Sequence, residues 1–517
     1  MRQDTSDNTD TAPGVEPRRA SYGSILKSSS IIGGAEGVNY GVSLLRTKVV
    51  AILLGPSGIG LLGLYSNVRQ MLVTLAGLGV SFSAVREIAK DSEAQDPHKI
   101  ASTIISLRRI CWLTGILGWV ISAALCVPIS RWVFDDQTHA YSVALLGAVI
   151  FLSIISSGQK ALVQGLRRIG DLARIQGLSV VFSSIVAIGI YAWLREDGIV
   201  PALIAGAVMN LCVTWYFSRK IEVDYYPQAW SETVFNAKAL LGLGAAFMWS
   251  ILLMAFVDLV IRTLILRELN IEAVGMYEAA WAISGLFASF VLSAMGADFY
   301  PRLTQVEADH PEIVRLVNEQ TEIGLLLAVP GLLGTLVFAP WVIQLLYTAA
   351  FSPAALLLPW LVLGVTGRVV SWPLGFILLA KGAKTHYAAV ETVVKIPRVL
   401  LVLVLLKQFG LVGVAIALPI NYLLYWAVVF IMTRRMVGFH YNSNCVRLLL
   451  IAGSFVFLTF LSVQCLPSVW GTGVGALITA IASYYCINVL ARRLGETHRL
   501  TRILIKMPFL LNKSSLF

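Results

Sequence analysis

The sequence predicts an all-α protein that crosses a membrane many times, as two six-helix lobes and an extra C-terminal helix pair, about fourteen spans in all. Three observations predict it. The 517 residues are 57% hydrophobic and only 13% charged, with a mean hydropathy of +0.77, whereas soluble domains carry about 25% charged residues. Apolar runs of spanning length, roughly 20 residues, recur between short turns marked by Gly, Pro or Asn. Lysine and arginine segregate to alternate loops. The net charge of +11 would point to nucleic acid in a soluble chain. Here it reads as cations holding cytoplasmic loops in place, and no nucleic-acid partner is expected.

In chain order, residues 1–21 are polar and lack the apolar core of a signal peptide. A disordered cytoplasmic tail is expected there. The first two spans, near 24–54 and 57–88, form a hairpin about the uncharged turn Gly55-Pro56-Ser57-Gly58-Ile59-Gly60, because Gly and Pro end one helix and release the next. Further spans are expected near 99–128, 140–163, 172–194 and 199–218, completing an N-lobe over 22–221. A polar linker follows at 222–234. The C-lobe, 235–435, holds spans near 237–266, 273–300, 314–343, 353–380, 385–406 and 411–433. Residues 436–517 add spans near 446–466 and 470–490 and a cytoplasmic tail.

Loop charge sets the orientation. With the N-terminus in the cytoplasm, the inner loops hold Lys90, Arg167, Arg168, Arg219, Lys220, Arg302, Lys381, Arg434 and Arg435 among others. The outer loops hold only Arg131, Arg195, Arg267 and Lys407. The two lobes echo each other. Arg46-Thr47 and Gly63-Leu64-Tyr65 return as Arg262-Thr263 and Gly275-Met276-Tyr277. Gln164-Gly165-Leu166-Arg167 returns as Lys381-Gly382-Ala383-Lys384, and Gly198-Ile199-Val200 with Asn210 as Gly410-Leu411-Val412 with Asn421. Internal duplication is the usual plan of transporters, with a site between the repeats near the midplane.

Charges at membrane depth are costly without water, a partner or a ligand, so they are the candidate site. Arg86, Glu87, Arg108, Arg109, Lys160, Asp298 and Glu319 lie near inner span ends and Glu278 near an outer one, where snorkelling or local pairing accounts for them. Arg46, Lys48, Arg69, Arg262, Arg368, Lys395 and Arg398 lie deeper and face only Asp258 and Glu391. Pairing of Asp258 with Arg262 and of Glu391 with Lys395, each four residues apart, would lock helices together. It leaves an excess of cations, which points to an anionic ligand bearing phosphate or diphosphate, gripped by the guanidinium fork. Pro373 and Pro397 interrupt helical hydrogen bonding inside two spans and are candidate hinges. Gly77 and Gly79 permit a bend or a close helix contact.

The six cysteines lie in or beside apolar runs without CxxC spacing, and the six histidines fall in loops or at span ends. No metal site, cofactor or catalytic residue is expected. A membrane-bound polymerase or ligase would need a sizeable outer loop bearing acid/base groups, and the outer loops are short.

Several segments resemble the polysaccharide (O-antigen type) flippases of the MATE-like exporter superfamily. They are Leu54-Gly-Pro-Ser-Gly-Ile-Gly60, Asn67-Val-Arg-Gln70, Leu75-Ala-Gly-Leu-Gly79, Ala294-Met-Gly-Ala-Asp-Phe299 with Pro301-Arg302-Leu303, Asn318-Glu-Gln-Thr-Glu322, Phe338-Ala-Pro340 and Ser371 through Gly382. The resemblance covers roughly residues 22–435. It implies two lobes in a V around a central cavity in a bacterial inner membrane. It implies export of an undecaprenyl-diphosphate-linked oligosaccharide, an O-antigen or exopolysaccharide repeat unit, by alternating access. Arg46, Lys48, Arg69, Arg262 and Arg368 are carried onto the diphosphate-sugar head. Asp258 and Glu391 are the candidates for coupling to protons or sodium. Membrane lipids, a polysaccharide polymerase and a chain-length regulator are the further partners expected. The extra helix pair departs from twelve spans and keeps a lipid II flippase as an alternative. A MATE-like multidrug exporter is a second one, although cationic drugs call for an acidic cavity.

Overall fold

In the computed structural model, which describes residues 16–93, 97–221 and 227–494, helices fill nearly all of the chain and end where the backbone has a reason to turn. Helix α1 (Glu16–Gly77) contains the first hairpin. It turns at Gly55, whose φ of 65° is open to glycine at no steric cost. The second arm breaks at Leu78 and Gly79, both left-handed, and continues as α2 (Val80–Glu93). Then come α3 (Pro97–Ala124), the short α4 (Cys126–Phe134), α5 (Ala140–Gly165), α6 (Ile169–Leu194) and α7 (Ile199–Ser218).

The second half repeats this order with α8 (Trp230–Glu268), α9 (Ile271–Gln305), α10 (His310–Val337), the short α11 (Ala339–Leu346), α12 (Leu358–Ala380), α13 (Lys384–Phe409) and α14 (Leu411–Val437). Two helices follow, α15 (Ser443–Cys465) and α16 (Ser468–Leu494). Side-chain caps start three of them. Asn270 accepts from the Ala273 amide at 2.7 Å, Asp309 from Glu312 at 3.1 Å and Asn442 from Cys445 at 2.6 Å.

Eleven helical stretches among the described residues are long and apolar enough to cross a membrane. Two of these, Gly41–Gly77 and Ile169–Ser218, hold a turn between two spans, and α13 falls outside the eleven, carrying Glu391, Lys395 and Arg398 in mid-helix. Counted separately, these give the fourteen spans expected. Alternate loops meet at the same end. At the hairpin end, Ser57 donates to Glu196 at 2.5 Å and Arg195 to the Leu53 carbonyl at 3.1 Å. At the opposite end, Lys381 meets His310 at 2.8 Å and Asn318 donates to the His440 carbonyl at 3.0 Å.

Several expectations shift at their edges. Helix α1 starts inside the stretch expected as a tail, residues 1–15 and the C-terminal segment 495–517 lie outside the described residues, and α8 starts inside the expected linker. The side chain of Asp298 also lies outside the described residues. Helices α12 and α13 run on through Pro373 and Pro397 without a break.

The packing within the two halves matches pair by pair. Helix α5 packs on α3 and α7, as α12 does on α10 and α14. Helix α6 packs on α1 and α7, as α13 does on α8 and α14. We call α1–α7 the first bundle and α8–α14 the second; α15 and α16 pack on α10.

The bundles meet most tightly at the hairpin end. Helix α1 crosses α9 so closely that a Cβ on Gly60 would strike the Ile271 carbonyl, and one on Gly275 the Pro56 carbonyl. Small residues allow such backbone approach in lipid, where packing drives association. Two reciprocal cation contacts flank the crossing. Lys48 of α1 donates to the carbonyls of Gln344, at 2.7 Å, and Tyr347, at the C-terminus of α11. Arg267 of α8 donates to the carbonyls of Trp132, at 2.6 Å, and Arg131, at 3.1 Å, near the C-terminus of α4. Each bundle's first span thus sends a cation onto the free carbonyls of the other bundle's short helix, where the helix dipole favours positive charge.

At the opposite end α8 is tied to the first bundle. Its 39 residues make about 58 Å of helix, longer than a bilayer core of about 30 Å. Its first turns dock on α3. Arg109 donates to Thr233 at 2.8 Å and lies 4.9 Å over the Trp230 ring. Ser102 donates to Glu232 at 2.9 Å, and Asn236 to Ser102 and Ser106 at 3.0 Å each.

The hairpin-end seal makes a prediction. In a background without native cysteines, a cysteine replacing Ser43, which lines the space between the bundles, should be labelled slowly by an impermeant maleimide added from the hairpin side. Lys48→Ala with Arg267→Ala, or Gly275→Leu alone, should raise that rate several-fold; an unchanged rate in both would remove these contacts as the seal.

Candidate functional site

Among the described residues, charged side chains of the spans line three of the cavities. One, of about 450 Å³, lies within the first bundle and is lined by α1, α5, α6 and α7. A second, of about 520 Å³, lies between α1 and the second bundle. A third, of about 360 Å³, lies within the second bundle and adjoins the second cavity, since Met254, Trp281, Arg368 and Tyr422 line both. All three fall in the size range of small-molecule sites, about 300–1,000 Å³.

The first-bundle cavity is cationic. Arg46 and Arg69 from the two arms of α1 and Lys160 from α5 line it with Gln176 and Asn210, and no carboxylate does. The buried Nε of Arg69 and the Oδ1 of Asn210 have no hydrogen-bond partner. Arg368 borders the second and third cavities. No carboxylate among the described residues pairs with these four cations, so they are the charges a ligand could neutralise.

The remaining deep charges are tied up. Arg262, 4% exposed, grips Glu278 through Nε and through Nη2 at 3.3 Å. Its Nη1 donates to the Asp258 carbonyl at 2.9 Å, and its guanidinium lies 5.5 Å from the Tyr277 ring centre. Asp258 sits between two arginines, 4.0 Å from Arg262 and 3.9 Å from Arg398. Glu391 holds Lys395 at 2.5 Å. Arg398 also lies 5.6 Å over Trp281 and leaves its Nε without a partner.

These contacts re-sort the residues singled out from the sequence. Arg46, Arg69 and Arg368 line cavities. Lys395 and Arg398 line the third cavity while paired with or beside acids. Lys48 serves the seal and Arg262 a buried network, so neither presents a free charge. The expected excess of cations overlooked Glu278, set aside as lying near a span end. Arg262 and Glu278 stand at equal distances on either side of the Asn270 turn, which makes them neighbours in an antiparallel hairpin; that symmetry could have revealed the pair. Lys160, set aside as lying near a span end, faces the first cavity. Of the two proposed coupling residues, Glu391 lines a cavity and Asp258 lies within the network.

Two related helical bundles, each enclosing a polar cavity at membrane depth, define a multi-pass membrane protein with the architecture of MATE-type exporters. Residues 25–307 match the family described as polysaccharide biosynthesis protein, and the chain belongs to that family. It is 22% identical over 430 residues to the lipid III flippase of Escherichia coli (strain K12), covering 80% of this chain and 99% of the relative. It is also 22% identical over 396 residues to the probable low-salt glycan biosynthesis flippase Agl15 of Haloferax volcanii, covering 74% of this chain and 78% of that one. Among solved structures, the lipid II flippase MurJ in an inward closed conformation superposes with a TM-score of 0.65 at 14% identity, over 90% of this chain and 99% of that chain. An inward-facing multidrug resistance MATE transporter superposes with a TM-score of 0.62 at 15% identity, over 77% and 94%. These relatives are flippases and transporters.

Paired and unpaired cations should behave differently on substitution. Glu278→Ala strands a buried guanidinium and should cost about 3 kcal/mol or more of stability, read as a lowered Tm of the detergent-solubilised protein, with much of it regained in Glu278→Leu/Arg262→Leu. Arg69→Ala relieves an unpaired charge and should leave Tm unchanged or raised. Equal losses in Glu278→Ala and Arg69→Ala would erase the distinction.

Proposed function

We propose that this protein is a flippase that moves an undecaprenyl-diphosphate-linked oligosaccharide, an O-antigen or exopolysaccharide repeat unit, across the bacterial inner membrane by alternating access. One observation carries the reading: a membrane-embedded cavity holds Arg46, Arg69 and Lys160 with no acidic partner. Such charges are tolerated at depth when they meet water or an anion, and guanidinium matches phosphate oxygens in planar pairs. Family membership and the flippase relatives support the same substrate class.

In this mechanism the N-terminus is cytoplasmic and the hairpin end faces outward. The diphosphate enters from the cytoplasmic side and is drawn to Arg46, Arg69 and Lys160, with Arg368 reaching it from the second bundle. The polyprenyl tail stays in lipid. Rocking of the bundles breaks the crossing of α1 with α9 and opens the hairpin end. No bond of the substrate is made or broken. Glu391 is the coupling residue we favour, because it lines a cavity and pairs with a single cation, Lys395, whereas Asp258 is already held between two guanidiniums. A cationic drug would be repelled by the first cavity, which disfavours multidrug export.

The test is translocation of defined lipid-linked oligosaccharides, lipid II included, in vesicles holding the purified protein. Arg69→Ala and Arg368→Ala should each reduce flipping at least ten-fold at normal protein level, and full activity in both would refute the assignment. Glu391→Gln should abolish the response to an imposed pH or sodium gradient, whereas an undiminished response would exclude Glu391 as the coupling group.

A further inference from the structure

The third cavity differs in chemistry from the first, although the two occupy corresponding places in their bundles. Asn210 of α7 lines the first and Asn421 of α14 lines the third. These asparagines sit at matching points of the internal repeat, and each leaves its Oδ1 without a partner. Around this shared position the linings diverge. The first cavity gathers three cations and one aromatic ring, Tyr191. The third also holds three cations, Arg368, Lys395 and Arg398, but sets them beside an acid, Glu391, and among six rings, Trp281, Trp372, Phe376, Tyr387, Tyr422 and Tyr425. Trp372 and Phe376 stand together, with ring centres 4.5 Å apart.

Two orphaned polar atoms interrupt this aromatic wall. Asn421, 7% exposed, offers an acceptor, and Arg398 offers a donor through Nε. A buried polar atom is costly to leave unmet, so an occupant that reaches these two gains by satisfying them. The Asn421 amide carries a donor as well as an acceptor, and Asn210 carries the same pair in the first cavity, so it is the aromatic wall and not the amide that sets the third cavity apart. A hydroxyl donates and accepts, and meets both orphaned atoms. An occupant with an apolar face for the rings and hydroxyls around its edge is a sugar.

We propose that the third cavity is the saccharide subsite of this protein. It takes the hexose units next to the diphosphate, stacked on Tyr422 and Tyr387 and hydrogen-bonded by Asn421 and Arg398. The inference rests on the reading of the substrate as a glycan on an anionic lipid, and it divides the labour between the bundles. The first holds the anion and the second reads the sugar. Arg368, bordering the second and third cavities, stands at the junction.

The experiment measures binding of two kinds of probe to the full-length protein in detergent. One is farnesyl diphosphate; the other is a panel of farnesyl diphosphates bearing glucose, galactose or N-acetylglucosamine. The wild type should bind at least one sugar-bearing probe ten-fold or more tightly than farnesyl diphosphate. Tyr422→Ala and Tyr387→Ala should each remove most of that ten-fold advantage while leaving the Kd for farnesyl diphosphate within two-fold. Arg69→Ala should weaken both kinds of probe alike. Equal wild-type affinity for all probes would overturn the saccharide subsite. So would loss of both kinds of probe in parallel in the two tyrosine variants, which is what misfolding or a purely structural role produces. A wild type that binds the sugar probes but shows no affinity for the diphosphate group would instead overturn the anionic reading of the first cavity and leave this one standing.

Discussion

A charge inside a hydrocarbon layer must find a partner, water or a ligand, and this requirement sorts the charged side chains of the spans. Arg262, Lys395 and Lys48 have found protein partners in Glu278, Glu391 and the carbonyls at the end of α11. Arg46, Arg69, Lys160 and Arg368 have found no acidic partner among the described residues, and each of these lines a cavity. The same energetic rule therefore produces two kinds of cation. The first kind builds the molecule, because removing a partner would strand a buried charge. The second kind holds a positive field in place at a depth where few counter-ions reach. A cavity with that field selects anions before any specific contact forms.

Duplication supplied the frame on which this sorting took place. The packing pairs of the first bundle recur in the second, and Asn210 and Asn421 keep equivalent stations. What differs is decoration. In the first bundle the lining became cationic with no acid beside it; in the second it became aromatic, with one acid, Glu391, among three cations, Arg368, Lys395 and Arg398. The two cavities thus have corresponding walls and unlike linings.

Much of the fold was legible in the sequence because membranes impose coarse rules. Apolar length fixed the spans, Gly55 and Asn270 fixed the first hairpin of each bundle, and loop charge fixed which loops share an end. The echo of Arg46-Thr47 in Arg262-Thr263 was legible too, yet the two arginines came to different fates. Arg262 acquired Glu278 across its hairpin, while Arg46, counted in the same way about Gly55, has Leu62, Gly63, Leu64, Tyr65 and Ser66 across from it and no acid to meet. Lys48 could not be read at all, because its partners are backbone carbonyls, which every residue carries. Lys160 was hidden for a related reason: depth along a helix is visible in a sequence, but the direction a side chain points within a bundle depends on rotation about the helix axis. The break at Leu78 was visible only as permission, in the flanking glycines.

The distribution of bond strengths also bears on motion. Contacts that stay inside one bundle are buried and charged: Arg262 with Glu278 joins α8 to α9, and Arg398 with Asp258 joins α13 to α8. Contacts that cross between bundles at the hairpin end are more open to water. The Lys48–Gln344 and Arg267–Trp132 hydrogen bonds are exposed, and a cation at an exposed helix C-terminus contributes only about 0.3–1 kcal/mol. Among the described residues, the side-chain link from the buried network to the other bundle, Asn67 to Glu278, is long at 3.4 Å. Within each bundle the ties include buried ion pairs, whereas between the bundles at the hairpin end they are exposed hydrogen bonds and the glycine crossing, an arrangement suited to rigid-body movement. Separation at the hairpin end would break weak bonds and the glycine crossing while sparing every buried ion pair. Helix α8 is the exception, pinned to α3 at its start and to α9 and α13 further along. Any rocking of the bundles must therefore be taken up along α8, between the polar docking of Asn236 and the charged cluster at Asp258.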